Sequence, residues 1–137
     1  MAWETFYGGE FPQRGRDHKE ILVSITPAHI IRFNRNTHRA LGETDAVMLK
    51  YDRLESLIGL EPVELDTEGS FRVKVFSKGR DFRINAASFC RNYGIRVERS
   101  ERFLYPKVDP DGILRLDLKN TQHVSYRRPG PDNAEQR

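Results

Sequence analysis

The sequence predicts a mainly β domain with short helices, an α+β fold made of two copies of a β-α-β-β unit. Three observations carry this. Short apolar or alternating runs recur along residues 21–118 with turn residues between them. Two stretches, Asn34 to Gly42 and Asn85 to Gly94, open on a residue suited to capping a helix and close on one that tolerates positive φ. Each of these is followed by a strand, a turn and a second strand, so the element order occurs twice.

In the first unit, residues 21–25 form a β-branched run stopped by Thr26-Pro27, and Ile30-Ile31-Arg32-Phe33 is extended. Asn34 caps a short helix that reaches Leu41-Gly42. Residues 46–51 are a strand, 52–56 a turn, and 57–63 the returning hairpin partner. An acidic connector, 64–69, leads to the second unit. There Phe71-Arg72-Val73-Lys74-Val75-Phe76 alternates with period two, which predicts one strand with one buried face. Ser77-Lys78-Gly79-Arg80 is a turn and Asp81-Phe82-Arg83-Ile84 is extended. Asn85 caps a helix that ends at Tyr93-Gly94. Residues 103–108 form a strand, Asp109-Pro110-Asp111-Gly112 a strong turn, and 113–118 the closing strand. Setting Arg32-Phe33-Asn34-Arg35-Asn36-Thr37 over Arg83-Ile84-Asn85-Ala86-Ala87-Ser88 aligns the two copies. A unit of one short helix and a hairpin cannot bury its own apolar face, so the copies are expected to interlock around one core.

The chain has 137 residues, of which 37% are hydrophobic, enough for one core but not for two independent ones. The expected division is an aromatic arm over 1–20, a body over 21–118 made of repeats 21–68 and 69–118, and a disordered polar tail over 119–137. No apolar run approaches the roughly 18 residues of a membrane span. Met1-Ala2-Trp3-Glu4-Thr5 lacks the basic start and apolar stretch of a signal peptide. The single cysteine, Cys90, excludes an internal disulfide framework. A bacterial cytoplasmic setting is the expectation.

The charge is uneven. Residues 21–68 carry 5 basic and 8 acidic side chains, whereas residues 69–118 carry 11 and 6, a net of +5. Such asymmetry points to an acidic partner on the second half. In the 71–76 strand Phe71, Val73 and Val75 share one face and leave Arg72 and Lys74 on the other. Lys78 and Arg80 on the turn, with Arg83 beyond it, extend a positive strip. Arg72, Lys74, Lys78, Arg80 and Arg83 are therefore the candidate nucleic-acid contacts. The competing reading is a solvated charged face in which Arg80 pairs with Asp81, or with an acid of the first unit, as a surface salt bridge. The helix cations Arg35, Arg39 and Arg91 read as exposed helix surface.

The layout resembles AbrB-like swapped-hairpin domains. Ile31-Arg32-Phe33 through Leu41-Gly42-Glu43 and on to Leu57-Ile58-Gly59-Leu60-Glu61-Pro62 is similar to one such unit, and Ser77-Lys78-Gly79-Arg80 ahead of Phe82-Arg83-Ile84 resembles the family's turn entry. Two copies in one chain resemble MraZ-type proteins. The resemblance implies an intramolecular swapped-hairpin barrel and a DNA-binding function, with regulation of transcription as its role. The first unit reads Thr26-Pro27-Ala28-His29 where the family's turn has Gly-Arg, which puts the expected DNA contact on the second repeat.

The alternative is a protein-interaction module, antitoxin-like or an assembly subunit, that binds no nucleic acid. Trp3, Phe6, Tyr7 and Phe11 of the arm are its candidate partner-binding residues. Catalysis is not expected. His18, His29, His38 and His123 lack metal-ligand spacing, Cys90 reads as a buried small residue, and Asp109 and Asp111 belong to a turn. No cofactor, metal, membrane or small-molecule substrate is expected, and the partner is DNA or another protein chain, including a second copy.

Overall fold

The computed structural model describes residues 20–124. Over these described residues the protein is mainly β, with two antiparallel sheets and two short helices. The first half supplies β1 (Val23–Ile25), β2 (Ile30–Asn34), α1 (Arg35–Ala40), β3 (Ala46–Asp52) and β4 (Leu57–Val63). The second supplies β5 (Phe71–Arg72), β6 (Lys74–Phe76), β7 (Asp81–Asn85), α2 (Ala87–Tyr93), β8 (Glu101–Phe103), β9 (Lys107–Val108), β10 (Leu114–Asp117) and β11 (Thr121–His123).

One sheet has six strands in the order β11-β8-β1-β2-β7-β6, and the other has five in the order β9-β10-β4-β3-β5. In both, strands of the first half lie in the middle and strands of the second half flank them. The halves meet along β2 and β7, where Arg32 pairs with Arg83, Ile30 with Asn85 and Asn34 with Asp81. The step along the chain that carries Arg32 to Arg83 also carries Ile30 to Asp81 and Asn34 to Asn85. The pairing is thus a local two-fold centred on the two arginines. No pairing among the described strands closes the two sheets into a barrel.

Alternation dictates which face is buried. Val23, Ile25, Ile31, Phe33, Phe82, Ile84 and Phe103 turn inward from the six-stranded sheet. They join Val47, Ile58, Leu60, Leu114 and Leu116 of the other sheet in one apolar cluster, with Leu41, Phe89 and Cys90 from the helical segments. His38 stacks on Phe82 with ring centroids 4.0 Å apart and donates from Nε2 to the Thr44 carbonyl at 2.9 Å, a structural role. Cys90 is fully buried, and that burial pushes its thiol up to about 11. Since the thiolate is the reactive form, a thiol reagent at pH 8 is expected to leave Cys90 unlabelled until denaturant is added. Rapid labelling of the native protein would refute this placement.

Asn34 organises the entry to the first helix. Its Oδ1 accepts from the Thr37 backbone N–H at 3.0 Å, the Thr37 hydroxyl at 2.6 Å and the Leu22 N–H at 3.3 Å, while its Nδ2 donates to the Glu20 carbonyl at 3.0 Å. Asn85 does less. The N-cap position of α2 is Ala86, and Asn85 Oδ1 accepts only from the Ala87 N–H, at 3.1 Å. Gly94 ends α2 at φ 68°, as its type predicts.

Four other expectations are corrected. The 71–76 run is two strands in two sheets, because Val73, 6% exposed, turns into the core and donates its N–H to Asp45 at 2.9 Å. Val75, expected inside, is 58% exposed on the edge strand β6. The 103–108 run is likewise divided: β8 and β9 belong to different sheets, and Pro106 between them has no N–H for a ladder. Lastly, the tail expected from Lys119 continues into β11, which pairs with β8.

Candidate nucleic-acid interface

Residues directly opposed in antiparallel strands share a face. Following the register across the six-stranded sheet gives a single row on the side away from the core. Lys74 pairs with Arg83, Arg83 with Arg32, Arg32 with Ser24, Ser24 with Arg102, and Arg102 with Gln122. Four of the six members are cationic, and both halves contribute. At about 4.8 Å per strand the distance from Lys74 to Arg102 is about 19 Å.

One acid interrupts the row. Asp81 Oδ2 accepts from Arg32 Nη2 at 3.1 Å and from Arg83 Nη2 and Nε at 2.7 and 3.0 Å, and its side chain is 16% exposed. Both guanidiniums are thereby drawn towards one carboxylate. Arg83 also lies over the Phe76 ring at 4.1 Å, a cation–π contact that keeps it flat on the sheet. Lys74, Lys78, Arg80 and Arg102 make no ion pair with a described residue. Of the two expected alternatives, the Arg80–Asp81 pair does not form, because Asp81 is occupied by Arg32 and Arg83, and Arg80 pairs with no described acid of the first unit.

Lys78 and Arg80 sit on the turn between β6 and β7. Ser77, Lys78 and Gly79 have φ of 52°, 57° and 85°, so two non-glycine residues adopt the left-handed region in succession. Each costs on the order of 1 kcal/mol, and an external clamp offsets it. Arg35, the first residue of α1, donates from Nε to the Gly79 carbonyl at 2.9 Å. Arg35 is therefore a tether for the basic turn and not merely helix surface.

The five candidates separate as follows. Lys74 and Arg83 join the row, and Lys78 and Arg80 flank it on the turn. Arg72 does not join them: it lies in the five-stranded sheet opposite Ala46, because the chain changes sheets at Val73. Sequence reasoning missed Arg32 and Arg102. Arg32 was accessible from the alignment of the two copies, since it occupies the place of Arg83. Arg102 was not, because its place beside Ser24 depends on a pairing between distant strands. Trp3, Phe6, Tyr7 and Phe11 lie outside the described residues.

An open cleft of about 300 Å³ lies on the same face, with Ser24 beside Arg32, Arg80 and Arg102. Leu22 and Val124 form apolar walls. Elsewhere, Asp109 has a structural duty in its turn. Hydrogen bonds from the Ile113 N–H hold the Asp109 carboxyl below the usual range, with further help from Arg115 and the Asp111 N–H. Among the described residues no three of His, Cys, Asp and Glu gather as metal ligands, and no helix is long and apolar enough to cross a membrane. Comparison with known proteins finds no matching family, curated sequence or solved structure.

Proposed function

We propose that the chain is a non-catalytic DNA-binding protein of the swapped-hairpin, AbrB-like kind, acting in the bacterial cytoplasm as a regulator of transcription. The observation that supports this is the row of Lys74, Arg83, Arg32 and Arg102 across one sheet face. Its length of about 19 Å exceeds the roughly 12 Å width of a B-DNA major groove. Lys74 and Arg102 then reach the two phosphate backbones while the Arg32–Arg83 pair lies over the groove. The contact uses both halves of the chain, a change from the expectation that the second repeat binds alone. The mixed sheets, with hairpins of one half held between strands of the other, support the swapped-hairpin reading in an open, unclosed form.

Four or five cations supply mainly backbone affinity, which falls steeply with salt. In a mobility-shift assay on mixed duplex DNA, a complex is expected at about 50 mM salt and much less at about 200 mM. Absence of a complex at both concentrations refutes the reading.

A second reading, a protein-interaction module, is favoured by the edge strand β6, where Val75 and Phe76 are 58% and 39% exposed. Size-exclusion chromatography with light scattering separates it from the first. A stable oligomer that binds no duplex supports the module, and a monomer that shifts DNA excludes it.

A further inference from the structure

We infer that the cleft beside Ser24 is a binding site for one phosphate group, held between Arg32, Arg80 and Arg102. This extends the nucleic-acid reading without depending on it, since a free phosphorylated small molecule presents the same chemistry.

The cationic row has a gap at Ser24. Ser24 pairs with Arg32 on one side and Arg102 on the other, so a short hydroxyl side chain stands between two long cationic ones. Across two strand spacings, about 10 Å, the flanking side chains leave room above it. The resulting volume of about 300 Å³ is at the lower end of ligand sites, sufficient for a phosphate with part of the group that bears it. Arg80 approaches from the β6–β7 turn and makes no ion pair with a described residue.

The charge balance points to an anion. Among the described residues three arginines line the cleft against one acid, Asp81, whose carboxylate already accepts from Arg32 and from Arg83 outside the cleft. Arg80 and Arg102, which make no ion pair with a described residue, repel across one hollow unless an anion joins them. Guanidinium forks suit the oxygens of a phosphate, and the serine hydroxyl adds a short-range donor at the base. The apolar walls, Leu22 and Val124, reduce the solvent screening that weakens such contacts on an open surface.

The test is calorimetric titration of the full chain with inorganic pyrophosphate at low salt. Wild type is expected to bind. Ser24→Glu places a carboxylate in the hollow and is expected to weaken binding at least about tenfold. Arg102→Gln changes only an exposed side chain, so it serves if Ser24→Glu does not fold, and is expected to weaken binding about fivefold. Lys50→Gln removes a cation from the other sheet and is expected to leave binding unchanged. No binding by wild type, or equal losses in Arg102→Gln and Lys50→Gln, overturns the site. The same variants in the duplex assay identify the source of the phosphate. Pyrophosphate that competes with duplex, with both weakened in Arg102→Gln, assigns the phosphate to the nucleic-acid backbone. Pyrophosphate binding by a protein that never shifts DNA supports the site, assigns a free phosphorylated ligand, and refutes the nucleic-acid reading. Duplex binding with no pyrophosphate binding does the reverse.

Discussion

Asp81→Asn is expected to tighten duplex binding about tenfold at low salt, and Arg83→Gln to weaken it by a similar factor. The opposite signs follow from the geometry. One carboxylate accepts from both Arg32 and Arg83 at the centre of the row, where it competes with phosphate for the same guanidiniums. Asparagine keeps the size and a carbonyl acceptor but removes the charge, so both arginines turn to the nucleic acid. The slope of log affinity against log salt should steepen by about one in Asp81→Asn and flatten by about one in Arg83→Gln. Asp81→Asn is also expected to lower stability by about 1 kcal/mol, because a partly buried, charge-assisted pair is weakened. Filter binding over a salt series, beside a urea titration, measures both effects. Weaker binding by Asp81→Asn would mean that Asp81 holds the arginines in their binding positions, and would overturn the competition argument.

The second large effect concerns stability. Asn34→Ala is expected to cost about 2–3 kcal/mol, whereas Asn85→Ala costs less than about 1 kcal/mol. Both residues sit at the same place in the aligned copies, so sequence alone treats them as equals. Asn34 caps α1 and also holds the buried Thr37 hydroxyl, the Leu22 N–H and the Glu20 carbonyl. Its loss takes the nearer acceptor from the Thr37 hydroxyl, which is fully buried and keeps only the longer bond to the Leu22 carbonyl at 3.4 Å. Asn85 makes one exposed bond to Ala87. Urea midpoints at unchanged m-value measure the difference, and for a domain of this size the larger loss corresponds to roughly 10 °C or more in Tm. Equal shifts in the two variants would show that the extra bonds of Asn34 contribute nothing.

Much of the fold is legible where the signal is local. The alternation of Ile31 and Phe33, or of Phe82 and Ile84, predicts which side of each strand is buried, and the asparagine-to-glycine spacing predicts both helices. What is not legible depends on partners far away in the chain. Val73 reads as one more inward residue of a regular strand, yet it is the point where the backbone leaves one sheet for the other. That departure takes Arg72 out of the basic surface. Conversely, Arg102 enters it through the pairing of β8 with β1, a register set by strands about eighty residues apart. The candidate site was thus half visible: the cations of the β6–β7 hairpin could be read from their own segment, whereas those of β2 and β8 required the assembled sheet.

The placement of first-half strands between second-half strands has a consequence for how the protein comes into being. Neither half owns a complete sheet: without the second, β4 lacks β10 and β2 lacks β7, and each would present an unsatisfied edge. A ribosome that has made only the first 68 residues holds a chain with open templates and no partner. Folding must await the rest of the chain, and the two pieces of a protein severed in the acidic connector would be sticky apart and native only when mixed.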